Sequence, residues 1–168
     1  INSVNLSYNK LTGQIPAYRN LSNLSQLYLH NNKYTGLSEF TNLPNLRYFY
    51  CHNQFTDGAP GISGQIPDFS SCPRMYYLVM YNNNFSSYKK GSFESLAQLK
   101  YLDISNNNLQ TTSVEQIVED LYTNYTNAPR GGVTVNLKNS LKSGATFSED
   151  TLDTIILLQA QSWTVIIQ

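Results

Sequence analysis

Residues 24–34 read LSQLYLHNNKY, a stretch in which leucine recurs at spacings of three and two and an asparagine follows three residues later. Similar frames of apolar residues start at Ile1, Leu24, Leu46, Met75 and Leu99. The copy at Leu46 fits only if one residue is deleted from its turn, which places Asn53 and Phe55 in the frame. Because chance does not produce so many copies in one register, the chain is predicted to stack similar units.

Each copy predicts one short strand. Its inward apolar side chains stack on the same positions of the next copy, which produces a continuous core and a parallel sheet. At the turn, an asparagine side chain can hydrogen-bond backbone groups that would otherwise be buried without partners. The turn asparagines are therefore interpreted as structural residues, and they are Asn9, Asn32, Asn83 and Asn107.

The frame L-x-x-L-x-L-x-x-N-x-L resembles that of leucine-rich repeats over residues 1–112. Its extensions, LTGQIP at 11–16 and ISGQIP at 62–67, are similar to the L-x-G-x-I-P pattern of the plant-specific subclass, which includes plant receptor ectodomains and polygalacturonase inhibitors. The resemblance implies an α/β repeat solenoid, right-handed and curved, with a parallel sheet on the concave face. Because only two copies keep the extension, a second sheet on the convex side is expected to be short and interrupted.

The pattern changes after residue 112, where a C-terminal cap over 113–168 is predicted. A capping box from Ser113 to Gln116 indicates a helix near 114–122 with one apolar stripe, formed by Val114, Ile117, Val118 and Leu121. Alternating apolar residues at 133–137 predict a sixth strand. Ser148 is expected to cap a second helix whose inward residues are Leu152, Ile155 and Ile156. A seventh strand at 163–167 follows, with Trp163 sealing the end.

This cap resembles the terminal caps of repeat proteins encoded by marine bacteria and their tailed phages. The matching segments are VEQIVEDL at 114–121, GGVTVNL at 131–137 and WTV at 163–165. The cysteine-bearing cap typical of the plant pattern does not occur here. The resemblance implies a bacterial or viral surface protein, located outside a cell or on a virion, rather than a plant receptor.

The charges are balanced, with 11 Lys plus Arg against 11 Asp plus Glu, and no basic stripe can be traced. Nucleic acid is therefore not expected as a partner. No apolar run of about 18 residues occurs, so membrane insertion is not expected either. Because the chain starts inside a repeat, at Ile1, the first apolar layer is expected to face water and to attach to an upstream domain or further subunits.

Two cysteines and one insertion interrupt the repeat pattern. Cys51 and Cys72 take inward positions held by leucine in other copies, which favours buried free thiols over a disulfide, although spacing alone leaves both open. The third interval between copies is the longest because it contains residues 57–61, DGAPG. This segment is expected to protrude as a loop that either carries binding or is a tolerated insertion.

The outward strand positions are rich in tyrosine. Adjacent strands lie about 4.8 Å apart, so tyrosines on neighbouring strands should form one aromatic patch. Tyrosine has a broad apolar ring and a polar tip, which suits protein interfaces and stacking on sugars. The predicted binding residues on the concave face are Tyr28, His30, Tyr48, Tyr50, His52, Tyr77, Tyr81, Tyr101 and Asp103. The alternative is that tyrosine simply favours strands.

No catalytic or metal-binding set is predicted. His30 and His52 align on neighbouring strands, but two imidazoles without a nearby carboxylate or thiolate are an incomplete ligand set. Glu115, Glu119 and Asp120 are expected on the solvent side of the first helix, as solvated charges. Five N-x-S/T triplets indicate either glycosylation or the abundance of Asn and Ser. The chain is therefore predicted not to be an enzyme and to need no cofactor.

The leading hypothesis is a non-enzymatic module for protein or glycan binding, or adhesion, on an extracellular or virion-surface protein. An alternative is a structural decoration or spacer domain of a phage head, tail or fibre that stacks on neighbouring subunits. A secreted receptor or inhibitor like the plant leucine-rich repeat proteins is a further alternative.

Overall fold

The computed structural model describes residues 1–56 and 58–168, and within them short strands alternate with turns until two helices appear near the C-terminus. The elements in chain order are β1 (Ser3–Asn5), β2 (Thr12–Ile15), β3 (Gln26–Tyr28), β4 (Lys33–Leu37), β5 (Tyr48–Tyr50), β6 (Phe55–Thr56), β7 (Ala59–Pro60), β8 (Ser63–Gln65), β9 (Tyr77–Val79), β10 (Asn84–Ser87), β11 (Tyr101–Asp103), α1 (Thr111–Asn127), β12 (Thr134–Asn136), α2 (Glu149–Ala160) and β13 (Thr164–Ile166).

One parallel sheet runs through the molecule in the order β1-β3-β5-β9-β11-β12-β13. The middle residue of each strand points inward and pairs with the middle residues of its neighbours, in the column Val4, Leu27, Phe49, Leu78, Leu102, Val135 and Val165. From Leu27 to Val135 these side chains are fully buried. Inward apolar side chains thus stack layer on layer, and the predicted α/β repeat solenoid is confirmed.

Buried amides hold the turns that follow the strands. In the second copy, Asn32 Nδ2 donates to the carbonyl of Leu29 at 3.0 Å and to that of Leu6, in the preceding copy, at 2.9 Å. Its Oδ1 accepts from Leu11 N at 3.0 Å. Asn83 and Asn107 make the corresponding bonds in their own copies. Each amide therefore satisfies backbone groups of two adjacent repeats.

The third copy needs no deletion, so that part of the prediction is wrong. Gln54, fully buried, takes the place of the turn asparagine: its Nε2 donates to Leu29 O at 2.9 Å and its Oε1 accepts from Tyr34 N at 3.0 Å. Asn53 instead has a left-handed backbone, with φ of 57°, the role of Asn31 in the second copy. Glutamine carries the same amide on a longer stem, which is why it fits.

The insertion begins directly after Gln54. Here β6 and β7 pair antiparallel as a hairpin, and Phe55, expected to face inward, is 64% exposed. The regular path resumes at Ile62, whose N–H donates to Asn83 Oδ1 at 2.9 Å, the bond that Leu11 makes in the first copy. Asp57, the first residue of the predicted loop, lies outside the described residues.

A second set of strands follows the turns. The strand β2 pairs with β4 and β8 pairs with β10, each as a separate two-stranded parallel sheet. The prediction of short, interrupted additional pairing is confirmed. Gly13 and Gly64, from the two L-x-G-x-I-P extensions, both have positive φ, a conformation that glycine adopts without strain.

The C-terminal elements occur as predicted, with two corrections. The stripe on α1 is buried, but Ser113 lies inside the helix rather than at its N-cap, which is Gln110. At α2, Ser148 Oγ accepts from Thr151 N at 3.3 Å, as expected of a cap. Ile156 is 59% exposed, and Leu158 is buried in its place. A cap domain beginning at residue 113 remains a proposal, because the main sheet continues from β11 to β12.

Two further expectations concern single residues. Cys51 and Cys72 are both free and buried, and burial raises the pKa of Cys51 far above its usual value and that of Cys72 to about 11. Both thiols are therefore inert at neutral pH.

Trp163 is buried, donates from Nε1 to Arg130 O at 2.8 Å, and contacts Tyr125 edge to face.

Candidate binding face

The sheet register determines which outward side chains are neighbours. Tyr48, Tyr77 and Tyr101 pair at the first strand position, and Tyr28 pairs with Tyr50 at the third. The next outward positions, just beyond the strand ends, hold His30, His52 and Tyr81. We call these eight half-buried residues the tyrosine face. They are the predicted binding residues other than Asp103, and the fold brings them together.

The first stack of rings runs across three strands. The ring centroids of Tyr48 and Tyr77 are 5.9 Å apart with planes 19° from parallel, and those of Tyr77 and Tyr101 are 5.6 Å apart at 28°. These three rings are therefore nearly parallel and stand side by side in offset stacking.

A second stack lies beyond the strand ends. The rings of His30 and His52 are 4.5 Å apart at 10°, and those of His52 and Tyr81 are 4.4 Å apart at 17°. Tyr28 and Tyr50, at 5.2 Å and 51°, lie between the two stacks. Tyr28 and Tyr50 also contact the histidines of the second stack, at 6.0 to 6.3 Å between ring centroids.

Both histidines have a lowered pKa. Burial lowers the pKa of His52 to about 4, with a smaller contribution from His30, and burial also lowers the pKa of His30. Both rings are therefore neutral at pH 7. Their Nδ1 atoms are buried and have no hydrogen-bond partner among the described residues. Within the same residues, no group of three His, Cys, Asp or Glu side chains is placed to hold a metal ion.

Asp103 lies at the third strand position, in the same column as Tyr28 and Tyr50, but is itself buried. Its Oδ1 accepts from Ser105 N at 3.0 Å, and its Oδ2 accepts from Tyr101 Oη at 3.0 Å and Asn136 Nδ2 at 3.1 Å. Burial and this carboxylate raise the pKa of Tyr101 to about 12. Asp103 therefore orients Tyr101 and has no free oxygen facing a ligand.

The sequence reasoning missed two aromatic residues beside the tyrosine face. Tyr76 contacts Tyr77 at 5.2 Å between ring centroids, and the Arg47 guanidinium lies 5.6 Å from the centre of the Tyr76 ring. Tyr8 packs edge-on against His30 at 5.2 Å. Tyr76 directly precedes a strand, which was a readable signal. Tyr8 has a left-handed backbone, which apolar periodicity does not reveal.

A chain of amides runs beside the second stack. Asn53 Nδ2 donates to Asn31 Oδ1 at 3.0 Å, and Asn82 Nδ2 donates to Asn53 Oδ1 at 2.7 Å. Each of these asparagines directly follows a residue of the stack. The hydrogen bonds link neighbouring repeats and hold the backbone under the rings in place.

One acidic prediction on α1 is wrong. Asp120 is fully buried, and its Oδ2 accepts from Tyr88 Oη and from Gly91 N at 2.8 Å and Phe93 N at 3.3 Å. These hydrogen bonds connect the loop before β11 to α1. Glu119 is exposed and pairs with Lys90 at 2.5 Å, as a solvated charge should.

A cavity of about 450 Å³ lies elsewhere, between the loop 138–147, α2 and the end of the chain. Leu137, Phe147 and Leu152 are among its lining residues, and Ser140 Oγ is buried there without a partner among the described residues. None of the tyrosine face lines this cavity. The aromatic surface is open, as suits a macromolecular contact rather than an enclosed small ligand.

The family model for the leucine rich repeat matches residues 69–118. This segment contains β9 to β11, with the Asn83 and Asn107 turns described above. Residues 69–118 therefore belong to the leucine rich repeat family. A search of curated proteins finds no match.

Among solved structures, this chain is similar to one titled "Crystal structure of a TDR receptor". The identity is 17%, the TM-score is 0.46, and the alignment covers 99% of this chain and 38% of the receptor chain. The chain thus spans well under half the length of that receptor. Within the described residues, neither helix has the length and apolar character needed to cross a bilayer.

Proposed function

We propose that this leucine-rich repeat protein is a non-enzymatic binding or adhesion module, which contacts a protein or a glycan through the tyrosine face. The observation that carries the proposal is the continuity of the two aromatic stacks across neighbouring strands. The repeat fold itself is typical of protein-binding modules. We further propose display outside a cell or on a virion, as the resemblance of the cap implies.

The rigidity of the tyrosine face supports this role. The five tyrosines in the first and third strand positions stand on strands that are hydrogen-bonded on both sides. The amide chain of Asn31, Asn53 and Asn82 holds the turns that follow the other three rings. Tyrosine also has few rotatable bonds, so little conformational entropy is lost on binding. A preorganised aromatic surface of this kind suits recognition better than chemistry.

The test is a double substitution, Tyr50→Ala with Tyr77→Ala, probed on a glycan array and with a displayed peptide library. We expect the probes that the parent chain retains to bind the variant at least about 10-fold more weakly, since buried aromatic anchors dominate interfaces. Tyr122→Ala, on α1, is the control and should leave binding unchanged. Undiminished binding by the double variant would refute the proposal, as would the absence of any retained probe.

A further inference from the structure

Three cations line one edge of the tyrosine face, where the strands begin. Arg47 directly precedes Tyr48, and Lys100 directly precedes Tyr101. Arg74 lies at the same edge, because its Nη1 donates to Asn45 Oδ1 at 2.6 Å, two residues before Arg47. Among the described residues the ion pairs are Lys89 with Asp68 and Lys90 with Glu119. The three edge cations therefore have no carboxylate partner within the described part of the chain.

The rest of the tyrosine face supplies less negative charge than the three edge cations supply positive charge. Its opposite edge carries neutral histidines and the asparagine amides. The carboxylate in the outward strand columns is Asp103, whose oxygens accept from Ser105, Tyr101 and Asn136. The chain as a whole is neutral, so its charges are distributed unevenly and this surface has a positive sign.

The orientation of the rings also favours a partner that presents negatively charged or polar oxygen atoms. The face of an aromatic ring carries negative potential and its edge carries positive potential. In both stacks neighbouring rings turn their faces towards one another, with planes between 10° and 28° from parallel. Their outward edges attract carbonyl and carboxylate oxygens.

We propose that the tyrosine face recognises an acidic polypeptide segment. Carboxylates of the segment contact Arg47, Arg74 and Lys100, while its backbone carbonyls and side chains lie across the ring edges. This inference rests on the proposed function and specifies the class of its partner. Opposite charges on the two surfaces accelerate the encounter and select against basic partners.

The first experiment titrates the intact chain with a labelled peptide of alternating Glu and Gly. A peptide of alternating Lys and Gly and an oligomer of polygalacturonate are titrated in parallel. We expect only the acidic peptide to bind, with affinity falling about 10-fold between low salt and about 0.5 M salt, because ions screen exposed charges. Equal or tighter binding of polygalacturonate would make the ligand an anionic glycan and overturn the inference, and so would binding of neither anion.

The second experiment repeats the same titration with variants that lack the positive charges. Arg47→Gln with Lys100→Gln should weaken binding of the acidic peptide about 10-fold or more. The control, Lys10→Gln with Lys142→Gln, removes the same charge from exposed positions outside the tyrosine face and should change affinity less than about 2-fold. Unchanged affinity in the Arg47 and Lys100 variant overturns the inference.

The tyrosine variant separates this inference from the proposed function. If Tyr50→Ala with Tyr77→Ala abolishes binding of the array probes while the charge variant binds them normally, the proposed binding face stands and the acidic partner is refuted. If both variants lose the acidic peptide, both proposals are supported. Thermal unfolding of each variant shows whether a loss of binding reflects a loss of fold.

Discussion

The two sides of the same strands differ in almost every respect. In β5 the middle residue, Phe49, is fully buried, whereas Tyr48 and Tyr50 on either side of it are half exposed. The inward side is aliphatic or aromatic and stacks from repeat to repeat; the outward side is aromatic and polar. Because alternate residues of a strand face opposite ways, a three-residue strand can hold the fold together on one side and present a surface on the other.

The largest effect should come from the inward side. Phe49→Ala leaves a cavity in the middle of the stack and should lower the free energy of unfolding by about 3–5 kcal/mol. Phe55→Ala removes the same atoms from a side chain that is 64% exposed. It should change the free energy of unfolding by less than about 0.5 kcal/mol. Urea unfolding of both variants measures the difference, and similar losses in the two would contradict the inward–outward contrast.

Substitution of a turn amide should have the next largest effect on stability. Gln54→Ala removes the partner of Tyr34 N and Leu29 O in a fully buried turn and should cost about 2 kcal/mol. Gln98→Ala, at an exposed position, is the matched control. A Gln54 variant as stable as its control would mean that the third turn does not depend on the amide.

The histidine stack makes stability depend on pH. The folded-state pKa of His52 is lowered to about 4, below the unfolded value of about 6.5, so the unfolded chain binds protons first as the pH falls. Stability from this residue is complete above about pH 6.5 and declines towards pH 4, by about 1–2 kcal/mol after allowance for screening of a partly exposed ring.

Thermal unfolding at pH 7 and pH 5 measures this decline. The variant His30→Gln with His52→Gln should lose most of the difference between the two pH values. A parent chain equally stable at both would contradict the lowered pKa values.

The smallest effect should come from the polar tip of one outward ring. Tyr101→Phe removes a hydrogen bond to the buried Asp103 and should cost about 1 kcal/mol. Tyr48→Phe, from the same column, is the control and should have a smaller effect. If the control costs as much, Asp103 does not orient Tyr101 as proposed.

Much of the fold follows from spacing alone. The offset between apolar residues and turn asparagines predicts the stacked strands and their register, and hence which tyrosines are neighbours. The third turn was misread because the rule was written for asparagine, although Gln54 lies at the regular offset from Cys51. What matters physically is the amide group, which glutamine also carries.

The remaining misses depend on tertiary packing. Asp120 was expected in solvent, yet it lies three residues after Ile117 and one before Leu121, on the buried face of α1. The helical period indicated its position, but not the loop N–H groups that make burial of a carboxylate tolerable. Ring stacking on the tyrosine face likewise depends on side-chain rotamers that the sequence pattern does not encode.

The most direct test of the tyrosine face as the binding surface is a titration, followed by two-dimensional NMR, of the chain with isotope-labelled tyrosine rings against a probe that the parent chain retains. The account predicts shift changes at Tyr48, Tyr50, Tyr77 and their neighbours in the stacks, with Tyr122 and Tyr125 on α1 unchanged. Changes confined to the α1 tyrosines, or no change at any ring, would contradict it.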